Sequence, residues 1–351
     1  MDFLINIAES YLRKPTEVLI VGCGNMGRIG VKYLLEKGIE IVGAYGVNPK
    51  TLGEDLGIVS GLDKPLDIKI SSDLEGLLKK TNPDVAVHAM YSTMAQNEAV
   101  FTTLLEHGVN IVTTCDDSHY SRDLEPDATG RIDAAAKRGG ASLIGTGIQD
   151  VFFLNIGYAA AGASVSLHSI DLSITNNLDD YGLTSAQSAG VNLTPEEFQT
   201  MMESRRQAQS VMTAPIHSAI CTKFGLTPVK QTLRQLPKVN DYAVYSNALQ
   251  RKVEAGRVTG ITEQLTTETA EGITVNCEYG LYIYDEGEYD VTRWHLHGSP
   301  DCEVEIPRCK TPEGTMATLI NRIPDAINAS PGYYPNCELD IARMCVGNIR
   351  M

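Results

Sequence analysis

The chain has 351 residues, 43% of them hydrophobic, and its 44 acidic and 29 basic residues leave a net charge of −15. That length supports two domains with real cores, and the negative charge opposes phosphate backbones and anionic lipid, which excludes nucleic acid and membrane as main partners. No apolar run reaches membrane-spanning length, the first 17 residues lack the pattern of a secretion signal, and the eight cysteines form no CxxC pair, so free thiols in a cytoplasmic protein are expected.

From residue 16 to about 150, short apolar runs alternate with helical patterns. Strands are predicted at 18–21, 39–45, 67–70, 85–89, 110–113 and 142–145, and helices at 26–37, 94–107 and 126–138. This is the rhythm of a Rossmann-type, doubly wound parallel α/β sheet. After Asp150 the strand patterns at 164–175, 257–269, 273–284, 291–296 and 302–306 are longer and richer in β-branched residues, which predicts a second α+β domain with a mixed or antiparallel sheet. Helical patterns at 195–210 and 214–224 interrupt it, and residues 311–329 read as a helix that Pro324 should kink or divide. The expected domains are residues 1–150 for a dinucleotide, 151–310 for substrate and oligomerisation, and 311–351 as a helical segment returning to the domain junction.

The first strand runs into Gly22-Cys23-Gly24-Asn25-Met26-Gly27, a GxGxxG turn opening a helix. Gly22 allows the tight turn, Gly24 the approach of a pyrophosphate and Gly27 close helix–strand packing, so these residues with Asn25 and Met26 are expected to bind a dinucleotide. The second strand closes without the acidic residue that would bind an adenosine ribose. Asn48 is a ribose ligand in this reading and Lys50 lies within reach of a 2′-phosphate, which favours NADP over NAD. Ser92 and Thr93 follow the fourth strand and are expected at the cofactor, or at a helix N-cap, and Gly147 is expected beside the ring.

The fifth strand leads into Asp116-Asp117, two carboxylates at the sheet edge where a nicotinamide should arrive; one of them is expected to be the acid–base group. Tyr91, His119, Asn176, Asn177 and Tyr181 are expected substrate contacts. His295 and His297 alternate on a strand, but without a nearby carboxylate or cysteine set no metal site is expected. The apolar and aromatic faces of residues 275–284 suggest a core or subunit interface, and hence a homodimer.

The glycine turn, Thr113-Thr114-Cys115-Asp116-Asp117, Gly145-Thr146-Gly147-Ile148, the sheet segments at 253–269 and 294–300, and the helix from Thr318 to Pro324 together resemble the 2,4-diaminopentanoate dehydrogenase and native amine dehydrogenase family, whose nucleotide domain is similar to that of dihydrodipicolinate reductase. The resemblance implies oxidative deamination of an amine or diamino acid, and reductive amination of a ketone or aldehyde with ammonia, with a carboxylate handling the proton. This chain has Asp116-Asp117 where the family pattern has a glutamate pair, and Gln149-Asp150-Val151 in place of Asn-Pro-Gly. The competing readings are an ammonia-independent reductase of cyclic imines or ketones, and a nucleotide-binding sensor without catalysis.

Overall fold

The computed structural model describes residues 16–205 and 211–345. The helix expected over 195–210 runs Pro195–Arg205, and its last five expected residues lie outside the described ones. The chain divides into two compact units, one formed by residues up to Gly147 together with those from Thr315 onward, the other by Ile148–Gly314. No described helix is long and apolar enough to cross a membrane.

The first unit holds β1 (Glu17–Val21), β2 (Glu40–Tyr45), β3 (Ile70–Ser71), β4 (Val85–His88), β5 (Asn110–Thr113) and β6 (Ser142–Gly145), with a late strand, β15 (Gly332–Tyr334), beside β6. Its strand order is β15-β6-β5-β4-β1-β2-β3, and every pairing is parallel. A parallel sheet needs cover on both faces, and the alternating side chains of β1 show how it is obtained. Val18 and Ile20 enter one core with Val31 and Leu34 of helix Asn25–Glu36 and with Met316, Leu319 and Ile320 of helix Thr311–Asn321. Leu19 and Val21 enter the other, with Phe101, Leu104 and Leu105 of helix Met94–Glu106 and Ile132 and Ala135 of helix Pro126–Gly139. Phe101 is wholly buried. Phe101→Ala should therefore cost about 3–5 kcal/mol, read as a lower urea midpoint at unchanged slope.

The expectation for β3 was too long: only Ile70–Ser71 pairs with β2, because Asp67 takes a positive φ of 58° and Lys69 bridges back to Asp55. Pro324 divides the late helix into Thr311–Asn321 and Ile323–Asn328, where it occupies the first turn of the second piece.

The second unit is built on β7 (Ser166–Asn177), β8 (Pro228–Val239), β11 (Val258–Thr269), β12 (Thr274–Tyr282), β13 (Val291–Ser299) and β14 (Cys302–Pro307), in the order β14-β13-β7-β12-β11-β8. Only β7–β12 pair in parallel, so the sheet is mixed. A short ribbon of β9 (Val244–Ser246) and β10 (Arg251–Val253) stands apart. One face of the large sheet is apolar, with Ile170, Leu172, Ile174, Trp294 and Leu296 buried; the other carries Asp171, His295 and Glu303 in cross-strand register. β8 went unpredicted. It begins at Pro228, contains Pro237 and is rich in charge, a composition that a sheet tolerates only at its edge, which is where β8 lies.

Candidate active site

β1 lies between β2 and β4, so the strand order reverses direction across it, and ligands of open parallel sheets bind outside the carboxyl ends at such a reversal. The ladder continues past the strands there: Gly22 N–H donates to Tyr45 O at 2.9 Å, Ala89 N–H to Val21 O at 2.8 Å, and Thr114 N–H to His88 O at 3.1 Å. The three loops following β1, β4 and β5 thus stand side by side on one rim.

The glycines behave as their spacing requires. Gly22 has φ +99°, and a Cβ there would lie 2.2 Å from Ala89 O. A Cβ on Gly27 would lie 1.9 Å from Gly22 O, whereas one on Gly24 would meet nothing within 4 Å. Gly24 caps helix Asn25–Glu36 without a side-chain hydrogen bond, which leaves the first-turn N–H groups for an anion. Arg28, one turn in, has a buried Nε with no hydrogen-bond partner among the described residues. An open cradle, uncapped amides and an unsatisfied guanidinium nitrogen fit a dinucleotide pyrophosphate. Arg28 escaped the sequence reading although a basic residue directly after the glycine motif was visible there.

Asn48 and Lys50 are exposed in the turn after β2, and Asn48 Oδ1 accepts from Lys50 N–H at 3.0 Å. Ser92 is exposed, and Thr93 N-caps helix Met94–Glu106 through Oγ1, which accepts from Gln96 N–H at 3.1 Å. Gly147, with φ +156°, ends the first unit. Tyr91 is 43% exposed.

Asp116 and Asp117 open a 3-10 turn, Asp116–His119, directly after β5. The Ser92 carbonyl ties this turn to the β4 loop by accepting from Asp117 N–H at 3.0 Å and from the Cys115 thiol at 3.2 Å. Asp117 is buried and Asp116 half-buried. Burial pushes the Asp116 carboxyl up to about 6, against a smaller opposing effect from its hydrogen bond with Ser92. Burial, reinforced by the two aspartates, holds the Cys115 thiol far above its ordinary value, so it stays protonated and is a poor nucleophile.

The turn is braced from behind by residues that the sequence reading missed. Tyr333 of β15 donates its hydroxyl to Ser118 O at 2.8 Å and accepts from Ser121 N–H at 3.1 Å. Asn336 Nδ2 lies 2.8 Å from His119 Nδ1. With the amide donating there, the imidazole proton sits on Nε2. Burial lowers His119 to about 3, so the ring is neutral, and with 1% exposure it supports the turn rather than lining its open side.

The remaining expected contacts belong to the second unit. Asn176 is buried, with Nδ2 donating to Tyr279 Oη at 3.1 Å and to Tyr181 Oη at 3.4 Å, and Oδ1 lies 3.2 Å from Thr311 Oγ1. Asn177 is held on two sides: its N–H donates to Asp290 Oδ1, just before β13, at 3.0 Å, and its Oδ1 accepts from Asp179 N–H in its own loop at 3.3 Å. Asp180 beside them is pushed up to about 6 by burial and by the charges of Asp290, Glu313 and Asp179.

The profile of the 2,4-diaminopentanoate dehydrogenase C-terminal domain matches residues 153–351, and that of a CoA binding domain matches residues 13–114. An amine dehydrogenase structure from Mycobacterium smegmatis is 32% identical, superposes with a TM-score of 0.89, and covers 94% of this chain and 97% of its own. The 2,4-diaminopentanoate dehydrogenase of Acetoanaerobium sticklandii is 26% identical over 96% of this chain and 97% of its own length. An amine dehydrogenase of Streptomyces virginiae is 25% identical over 37% of each. The chain belongs to the 2,4-diaminopentanoate dehydrogenase and amine dehydrogenase family of oxidoreductases.

Proposed function

We propose that this protein is a nicotinamide-dependent amine dehydrogenase that deaminates an amine or diamino acid oxidatively and, in reverse, aminates a ketone or aldehyde with ammonia. The observation that carries the reading is the half-buried Asp116, raised to about 6, on the rim next to the glycine cradle. A carboxyl group in that range can take and return protons near neutral pH. The nicotinamide, when bound, accepts or delivers the hydride. Asp116 removes a proton from the substrate nitrogen in the deaminating direction and returns one in the aminating direction. Asp117, buried with its backbone anchored on Ser92, fixes the turn that aims its neighbour.

The cradle of Gly22, Gly24, Asn25, Met26 and Gly27 would hold the pyrophosphate, with Arg28 supplying a countercharge. NADP is the favoured cofactor and NAD the alternative, because β2 ends without a carboxylate and Lys50 stands exposed in the following turn. Asn48, Ser92 and Thr93 would flank the riboses, and Gly147 the ring. In the second unit Asn176 and Tyr181 border the acidic group of Asp180, Asp290 and Glu313, which favours a substrate bearing a cationic amine. Exposed Val229, Leu233, Leu236 and Val239 on the edge strand β8 favour a homodimer, and cysteines such as Cys23, Cys115, Cys221 and Cys277, buried and outside any disulfide, favour the reducing cytoplasm.

The test is turnover of NADPH and NADH with a panel of keto acids and aldehydes, with and without ammonium. Oxidation of the cofactor that requires ammonium is expected. Equal rates without it would replace the reading with an ammonia-independent reductase, and nucleotide binding without turnover on any substrate would replace it with a sensor.

A further inference from the structure

The polar face of the second sheet assembles a cluster of two histidines and a carboxylate within one hairpin. His295 and His297 project from the same face of β13, Asp301 sits in the turn to β14, and one donor atom from each lies within 4.8 Å of the others. The two imidazole rings are 3.5 Å apart between centroids. Asp301 follows His297 by only four residues, a carboxylate that the sequence reading passed over, and sheet register supplies two more. His295 faces Asp171 of β7 on one side and Glu303 of β14 on the other.

Each ring has one nitrogen turned to the shared carboxylate and the other to an outer one. His295 Nε2 is 2.9 Å from Asp301 Oδ1, and its Nδ1 is 3.4 Å from Glu303 Oε1. His297 Nδ1 is 3.9 Å from Asp301 Oδ2, and its Nε2 is 2.7 Å from Asp171 Oδ2. Asp171 is itself held, accepting from Asn276 Nδ2 at 2.8 Å through its other oxygen. Metal-bound histidines commonly show this pattern, in which the far N–H is donated to a carboxylate that fixes the tautomer and strengthens the ligating nitrogen. Donor separations of 2.9 and 3.9 Å bracket the edge of a tetrahedron with bonds of about 2.0–2.1 Å. The rings and carboxylates are all partly solvent-accessible, so a cation could enter without opening the fold.

We propose that His295 Nε2, His297 Nδ1 and Asp301 form a binding site for a divalent transition cation of the zinc class, with Asp171 and Glu303 as the outer carboxylates and water completing the coordination. Two imidazoles and a carboxylate suit zinc, and disfavour calcium or magnesium, which prefer an all-oxygen shell. A cation there links the turn between β13 and β14 to β13 itself, and so clamps the hairpin at the edge of the sheet.

Chelator-treated full-length protein titrated with Zn²⁺ by calorimetry should bind one equivalent lost in His295→Gln/His297→Gln. Asp171→Asn, outside the coordination shell, should weaken binding about 10–100-fold. Co²⁺ should give a visible d–d absorption band in the wild type and not in the double variant, and Zn²⁺ should raise the wild-type Tm alone. Matching metal-free circular dichroism and Tm would show that the variants fold. Absence of saturable binding in the wild type, or binding of equal strength in the folded double variant, would overturn the assignment.

Discussion

Asp116→Asn is expected to lower kcat/KM for amine oxidation and for reductive amination by about 10²–10⁴-fold, the usual worth of a positioned acid–base group. The wild-type rate of amine oxidation should rise with pH through an apparent pKa near 6, as the proposed role of the carboxylate as base requires, and that limb should be missing from the residual activity of the variant. Stability should move the other way. Burial pushes the folded-state carboxyl up to about 6 from the ordinary 3.8, so between those values the native state binds more protons than the unfolded chain. Stability must fall as pH rises across that window and remain lower above it. Asparagine carries no such penalty, so the variant should melt at a higher temperature than the wild type at pH 7 to 8 and show a smaller difference at pH 4. A variant retaining wild-type kcat/KM would remove Asp116 from the chemistry; one that lost activity together with its melting transition would show only that the turn had collapsed.

The second large effect is expected at Gly24→Val. A Cβ there meets no protein atom within 4 Å, so the fold should survive with a Tm within a few degrees of the wild type, allowing for a weaker N-cap. Its methyl groups would stand where the pyrophosphate must approach the uncapped amides. Nucleotide Kd should rise about 100-fold, equivalent to about 2.7 kcal/mol. Gly27→Val is the contrasting case, since its Cβ would press against Gly22 O and should cost folding itself. Unchanged nucleotide affinity in a folded Gly24→Val protein, measured by fluorescence titration, would move the cofactor away from this cradle.

The elements written in local pattern were legible. The buried runs of β1, β4, β5 and β6 announce a sheet covered on both sides, and glycine spacing with adjacent carboxylates marks the front of the site. The parts that depend on distant pairing were not. β15 is three residues long, too short for periodicity, yet Tyr333 and nearby Asn336 brace the acid turn from more than 200 positions away. The nearer of the two carboxylates at His297, Asp171, is 126 positions upstream and is brought to it by the pairing of β7 with β13. β8 was hidden by two prolines that only an edge position explains.

The placement of β15 bears on how this protein comes into being. Ribosomes deliver the glycine turn and the aspartate turn more than 200 residues ahead of the side chains that brace the latter. A nascent chain thus completes its glycine cradle well before the loop of Asp116 and Asp117 is held in place.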